Sequence, residues 1–384
     1  MILLLWCAGL GAAAQFAKIA VPFPALRMVY PDAGAELGWL LSLLSLVGAV
    51  LGIVAGELVG RLGAKRLVLV GMGVGAAASF YQSLLPSFEW MLLSRVVEGA
   101  AHLAIVVGAP TLIGQIAIVR FLGAAMTLWS TFFGVAFALV AWVGLPLVET
   151  YGLTGLFLAH GTVLVVAGIL IALVVPSVEP VAHCPTTNGW FKRHAQAYSS
   201  PFVAAAGAGW FFYTLTFVAL LAVVPDLLPA DQAGPTLSRM SLVSIGVSLA
   251  IVPLLIRRAS SVSVVVAGLA LAIAVVILGF GGENLALWAV VLFAVLGLVQ
   301  GASFSAVPEL NSAVQDQALA FGLMAQTGNI GNLLGTPILL LVLALGDGNR
   351  AALIVALAVI YALAILVHAL LALRRRAIGR AAAQ

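Results

Sequence analysis

Long apolar runs alternate along the chain with short polar or Pro/Gly-rich breaks. Twelve runs can be drawn, near residues 3–29, 38–56, 67–85, 90–113, 121–147, 153–175, 202–224, 237–256, 262–280, 285–307, 319–345 and 351–373. They are continuous rather than alternating in polarity, and most meet the roughly 20 residues a helix needs to cross the hydrocarbon of a bilayer. The pattern predicts transmembrane helices and excludes the alternating strands of a membrane barrel. The longest polar stretch, 176–201, holds Glu179, His183, Thr186, Asn188, Lys192, Arg193 and His194. It divides the runs six and six, predicting an all-α polytopic protein with an N-terminal six-helix bundle over 1–175, a cytoplasmic linker over 176–201 and a C-terminal six-helix bundle over 202–384. The Trp190-Phe191-Lys192-Arg193 portion fits a short amphipathic surface helix as well as a plain solvated linker.

Composition agrees. Of 384 residues, 64% are hydrophobic and 8% charged, against about 25% charged in soluble domains, so no room is left for a water-soluble catalytic domain. Charge tests the topology independently. With the N-terminus inside, Arg61, Lys65, Arg66, Arg120, Lys192, Arg193, Arg257, Arg258, Arg374, Arg375, Arg376 and Arg380, twelve of the seventeen basic residues, fall on inner connectors and the tail. Asp32, Glu36, Glu89, Glu149, Asp226, Asp231, Glu283 and Asp347 fall outside. This asymmetry places both termini in the cytoplasm of a multi-pass protein of a bacterial-style inner membrane. The first run begins almost at Met1 with no basic leader, so it is expected to be a retained span.

The net charge of +4 is accounted for by topology, and nucleic acid is not an expected partner. Cys7, Cys184 and five scattered histidines make neither a disulfide framework nor a metal-ligand set, so no metal and no cofactor are expected. Neither a phosphate-cradling G-x-x-x-x-G-K-[ST] loop nor the H-E-x-x-H or G-x-S-x-G motifs occur, and no enzyme activity is expected. The halves echo one another at an offset of roughly 200 residues, Val97-Glu98-Gly99-Ala100-Ala101 answering Val299-Gln300-Gly301-Ala302-Ser303, and Phe121 with Met126 answering Phe321 with Met324. Duplicated halves are a transporter architecture.

The connector Gly56-Glu57-Leu58-Val59-Gly60-Arg61-Leu62-Gly63-Ala64-Lys65-Arg66 resembles the cytoplasmic signature loop of the major facilitator superfamily, with Gly60 where the family usually has an acidic residue. Arg95 and Gly99, spaced R-x-x-x-G, resemble a second signature of that family, and Gly134, Gly144 and Pro146 are loosely similar to the glycine-rich motif of its drug antiporters. In the trailing half the loop is reduced to Arg257-Arg258. The resemblance implies two pseudo-symmetric bundles rocking about a central cavity lined by the first, fourth, seventh and tenth runs. It also implies a conformational gate at Gly56, Arg61, Gly63, Lys65 and Arg66.

Charged side chains at bilayer depth cost at least about 2.5–3.5 kcal/mol on insertion scales, so each is a functional candidate. Arg95, Glu98 and His102 fall at i, i+3 and i+7, within about 60° of one another on a helix. They form a candidate proton-coupling site, with Glu98 titrating as Arg95 turns to bind substrate and His102 as relay; the alternative is a structural Arg95–Glu98 pair. Lys18 lies inside the first run, one turn after Gln15 and before Pro22 and Pro24; it binds substrate or couples, or else it snorkels or pairs with Glu98. Two cations against one carboxylate leave +1, which an organic anion would balance; this reading requires that Lys18, Arg95 and Glu98 surround a wet chamber where the bundles meet, and cations sealed in dry interhelical contacts would count against it. Trp210, Tyr213, Thr214 and Phe217 form a stripe that either packs the helix or walls the cavity, facing Gln300 and Ser303. Gln326, Asn329 and Asn332 fit interhelical hydrogen bonds. The expected function is proton-coupled transport of a small organic anion by a monomer in the lipid bilayer. Efflux of amphipathic compounds, a polytopic membrane enzyme and a non-transporting receptor or assembly factor are the alternatives.

Overall fold

The computed structural model describes residues 1–178, 190–346 and 348–382. Glu179, His183, Cys184, Thr186 and Asn188 of the linker, and Asp347, lie outside the described residues. In chain order the helices are α1 (Ile2–Ala20), α2 (Phe23–Val29), α3 (Trp39–Leu62), α4 (Ala64–Gln82), α5 (Phe88–Ile116), α6 (Leu122–Ser130), α7 (Phe132–Leu139), α8 (Leu145–Val174), α9 (Trp190–Ser199), α10 (Val203–Val223), α11 (Ala230–Ala250), α12 (Val252–Leu255), α13 (Ser261–Gly279), α14 (Leu285–Leu310), α15 (Val314–Leu345) and α16 (Arg350–Ala382). Among the described residues there is no strand.

Local chemistry sets the breaks. Pro22 and Pro24 lack the N–H that would continue α1, so the chain restarts as α2. Gly63, at φ +83°, makes the turn between α3 and α4. The hydroxyl of Ser260 accepts from the Ser263 amide and caps α13. Ten helices among the described residues are long and apolar enough to cross a membrane. Two differences from the twelve expected runs explain the number. The third run corresponds to α4, whose first turn carries Lys65 and Arg66 and which is not among the ten. The fifth and sixth runs join as a 43-residue candidate, Phe132–Val174, bent at Gly152, whose φ of +68° favours glycine. The short helix considered for the end of the linker is present as α9.

Most helices of α1–α8 pack on one another, as do most of α10–α16, while α3 against α15 and α6 against α14 and α11 join the two sets. The surface around them is apolar, with Trp142 81% and Leu173 78% exposed in the first set and Leu278 72% and Leu345 79% in the second. Such a belt suits lipid, not water. The two sets meet along a seam of small residues. A Cβ on Gly52 would lie 2.6 Å from the Gly322 carbonyl, one on Gly322 would lie 2.6 Å from that of Gly52, and one on Gly56 would lie 2.6 Å from that of Ala318. These glycines let α3 and α15 touch backbone to backbone. Ser305 on α14 donates to the Gly123 carbonyl in the first turn of α6 (3.3 Å). These contacts lie toward the end of the bundle that bears Arg61, Lys65, Arg66 and Arg120.

Candidate functional site

Four helices of the first set converge on one point: Lys18 on α1, Ser79 and Gln82 on α4, Arg95 and Glu98 on α5, and Phe157 and His160 on α8, with Gln15 one turn before Lys18 on α1. A separation of three keeps both members of each pair on one helix face. Glycine at 75 allows the approach, since a Cβ there would lie 2.5 Å from the Gln15 amide nitrogen.

At the centre is the Glu98 carboxylate. Its Oε1 lies 2.5 Å from Lys18 Nζ, and its Oε2 pairs with Arg95. The Gln82 amide also donates to Oε2 (2.8 Å) and to the Ser94 hydroxyl (3.0 Å). Arg95 Nε donates to the Leu40 carbonyl of α3 at 2.8 Å. Lys18 further donates to Ser79 Oγ (2.8 Å), approaches His160 Nδ1 (3.3 Å), and holds its ammonium 5.3 Å from the centre of the Phe157 ring. His160 Nε2 lies 2.9 Å from the Gly11 carbonyl, which can only accept. That nitrogen therefore carries the proton, and Nδ1 faces Lys18 and Ser79. Lys18, Arg95, Glu98, Ser79 and Gln82 are all 0% exposed.

The pairing of Lys18, Arg95 and Glu98 matches the sequence reading, but their setting does not. A wet chamber between two bundles was expected; the structure seals all three among helices of the first set, where the Leu40 carbonyl, the Ser79 hydroxyl, the Gln82 amide and the His160 imidazole solvate the charges in place of water. His102 turns to the Ala12 carbonyl of α1 (2.9 Å) and packs edge-on against Phe16. Neither of these contacts reaches Glu98, and the histidine beside the charged cluster is His160. Gln15 is buried one turn from Lys18, with no hydrogen bond to its amide among the described residues.

The residues expected after the linker form a separate group. Trp210 stacks on Tyr213, which stacks on Phe217, at 4.7 and 4.9 Å between ring centres. Tyr213 and Ser244 both donate to Gln300 Oε1 (3.1 Å each). Gln300 in turn donates to the Ser130 carbonyl of the first set (2.6 Å). Ser303 is buried, and no hydrogen bond to it is found among the described residues. Thr214 departs from the stripe: its hydroxyl bonds back to the Trp210 and Phe211 carbonyls, and it packs against Gly331 of α15. At the expected gate, Lys65 donates to the Ala172 and Val175 carbonyls at the end of α8 (2.9 and 2.6 Å), while Arg61 and Arg66 are exposed. The close contact across the seam at this end is made by Gly56.

Sequence reasoning missed Ser79, Gln82, Ser94 and His160. For His160 a signal existed: it is the one ionisable residue in the apolar run 153–175, and the rule that singled out Lys18 applies to it equally. No group of three or more potential metal-ligating side chains occurs among the described residues.

An all-helical bundle with an apolar belt and a buried, net cationic cluster defines a polytopic membrane protein of the carrier kind. The family model of the Major Facilitator Superfamily matches residues 5–314, and the chain belongs to that family, one of transporters and not enzymes. An uncharacterised MFS-type transporter of Mycobacterium tuberculosis is 28% identical over 193 residues, a match spanning 50% of this chain and 31% of that relative's length. Among solved structures, the Escherichia coli fucose:proton symporter superposes with a TM-score of 0.78 at 15% identity, covering 96% of this chain and 98% of that one. The human organic anion transporter gives 0.77 at 14%, with coverage of 96% and 98%. At these identities the likeness concerns the fold.

Proposed function

We propose that the chain is a secondary transporter that carries a small organic anion together with a proton, by alternating access between bundles 1–175 and 202–384. The observation that carries this reading is the Glu98 carboxylate held between two buried cations, Lys18 and Arg95. With all three ionised the cluster is formally +1. A carboxylate or sulfonate would compete with Glu98 for the same cations and take over its counter-charge, so that the cluster stays at +1 once Glu98 is protonated. A displaced, desolvated Glu98 then favours its protonated form. Anion and proton thus bind together, each raising the affinity for the other. Because the cluster is closed in the arrangement described above, the anion's access requires movement of the helices around it, and the break at Pro22 gives α1 a place to bend.

Twelve crossings with both termini in the cytoplasm of a bacterial inner membrane fit the distribution of basic residues. The solved neighbours include two proton symporters and an organic anion transporter, which fits this reading. A second reading, efflux of amphipathic compounds, is favoured by the aromatic column Trp210–Tyr213–Phe217.

Uptake into proteoliposomes under an imposed pH gradient tests the proposal, using a panel of labelled carboxylates, sulfonates and lipophilic cations. The expected result is gradient-driven accumulation of an anion that Glu98→Gln abolishes while exchange without a gradient persists. Undiminished gradient-driven accumulation in Glu98→Gln overturns the coupling role, and accumulation or extrusion of cations alone overturns the anion assignment.

A further inference from the structure

Lys18 stands 2.5 Å from a group that, on the reading above, loses its charge during transport. A buried ammonium deprived of its counter-ion tends to shed its proton. If Lys18 did so whenever Glu98 gained one, the proton would merely pass from one side chain to the other, and the cluster would take up nothing. Net uptake requires Lys18 to stay protonated through the step.

We propose that Ser79 and His160 are positioning residues that hold Lys18 as a fixed cation when Glu98 is neutral, so that the proton arriving at Glu98 is a net gain. The inference rests on the coupling role proposed for Glu98. Its basis is the geometry around Nζ. The three N–H bonds of the ammonium have three acceptors: Glu98 Oε1, Ser79 Oγ at 2.8 Å and His160 Nδ1 at 3.3 Å. Two of the three are neutral and keep their lone pairs when Glu98 is protonated.

Each neutral acceptor is itself held in place. The Gly11 carbonyl takes the proton of His160 Nε2, which fixes Nδ1 as the acceptor facing inward. Ser79 Oγ donates to the Phe157 carbonyl at 3.0 Å, which leaves the lone pairs of Ser79 Oγ and of the neighbouring His160 Nδ1 (2.8 Å away) for Lys18. The face of Phe157, 5.3 Å from Nζ, adds attraction for a cation and none for a neutral amine. The charged and titratable groups around Lys18 are Glu98, Arg95 and His102 on α5 and His160 on α8; α4 contributes the uncharged Ser79 and Gln82.

The test is a cycle of melting temperatures on detergent-purified full-length protein, which involves no cargo. His160→Leu removes the acceptor and His160→Gln supplies another. In the native background His160→Leu is expected to lower the midpoint by at least about 2 °C, with His160→Gln restoring most of it. In the Lys18→Met background the same His160→Leu change is expected to cost clearly less, since no ammonium remains to be held and only the contacts with the Gly11 carbonyl and Ser79 are lost. In the Glu98→Gln background the loss is expected to exceed that in the native one, since Ser79 and His160 then carry the cation alone. Equal losses from His160→Leu with and without Lys18 overturn the proposal, as does failure of His160→Gln to rescue. The comparison of native and Lys18→Met backgrounds stands even if Glu98→Gln does not fold. The cycle reads Lys18 alone, so it can fail while Glu98 still couples transport, and transport coupling can fail while the cycle holds.

Discussion

The side-chain amide of Gln300 donates to the main-chain carbonyl of Ser130 at 2.6 Å, and the two residues belong to the two different sets of helices. Ser130 ends α6, and the chain restarts as α7 at Phe132. A nearby side-chain contact, Ser130 with Ser248 of α11 at 2.9 Å, also crosses between the sets. On its other face Gln300 accepts from Tyr213 and Ser244, so one amide ties α10, α11 and α14 to the end of α6. Replacing it with leucine strands buried hydroxyls and a carbonyl, at a cost of about 1–3 kcal/mol. Because the bond exists only while the sets are closed here, Gln300→Leu is expected to lower the melting temperature and to widen the distance between spin labels at Val119 and Arg258, both exposed near this end. An unchanged distance distribution would mean that Gln300 stabilises each set without joining them.

The glycine seam gives a sharper case. At Gly52 and Gly322 the neighbour is backbone, 2.6 Å from the added Cβ in both directions, and cannot rotate away. Gly52→Val or Gly322→Val therefore forces α3 and α15 apart, at a cost of about 1–3 kcal/mol or more to the closed arrangement. Each set should still fold. The expected outcome is a protein that purifies as a monodisperse species, shows the wide label distance and does not transport. Normal transport in Gly52→Val would show that the seam is not closed during the cycle.

Much of this is legible in the amino-acid sequence itself. Continuous apolar runs disclose membrane helices because lipid leaves the backbone no other partner. The i, i+3 spacing discloses the Arg95–Glu98 pair because both ends lie on one helix. Lys18 was visible as a cation lacking a local partner. What stayed hidden depends on the packing of separate helices: Ser79 is 61 residues from Lys18 and His160 is 142, and no periodicity relates them. The closed setting of the cluster was hidden for the same reason, since whether a buried charge meets water or polar groups is decided by neighbouring helices. Thr214 sits in register with Trp210 and Phe217 on a helical wheel, yet it faces α15, because a stripe spanning i to i+7 is wide enough to touch two neighbours.

The linker helix provides an independent test. Tyr198 on α9 donates to Gln326 Oε1 of α15 (3.1 Å), and Gln326 donates across the seam to the Ala49 carbonyl of α3 (2.8 Å). Tyr198→Phe removes one donor at a half-exposed position and should cost about 1 kcal/mol or less, whereas Gln326→Leu leaves a carbonyl and a hydroxyl unpaired and should cost more. Hydrogen exchange in α9 is expected to accelerate in both variants and further in Gln326→Leu. Equal exchange in native protein and Gln326→Leu would show that α9 is held by its other contacts.

The charge balance of the cluster predicts an asymmetry between two substitutions of similar size. Lys18→Met leaves Arg95 and Glu98 as a neutral pair, still supported by Gln82 and the Leu40 carbonyl. Glu98→Gln leaves two buried cations facing a neutral amide, a formal +2 with no exposure to water. Breaking a buried pair from one side typically costs about 3–5 kcal/mol, while removing an excess charge relieves desolvation. Glu98→Gln is therefore expected to destabilise strongly and Lys18→Met weakly. The double variant Lys18→Met/Glu98→Gln should recover part of the loss, because only Arg95 then lacks a counter-charge. Thermal unfolding of the three purified variants measures this directly. If Lys18→Met proved as damaging as Glu98→Gln, the ammonium would be an integral strut of the fold, and its availability to an incoming anion would be lost as an argument.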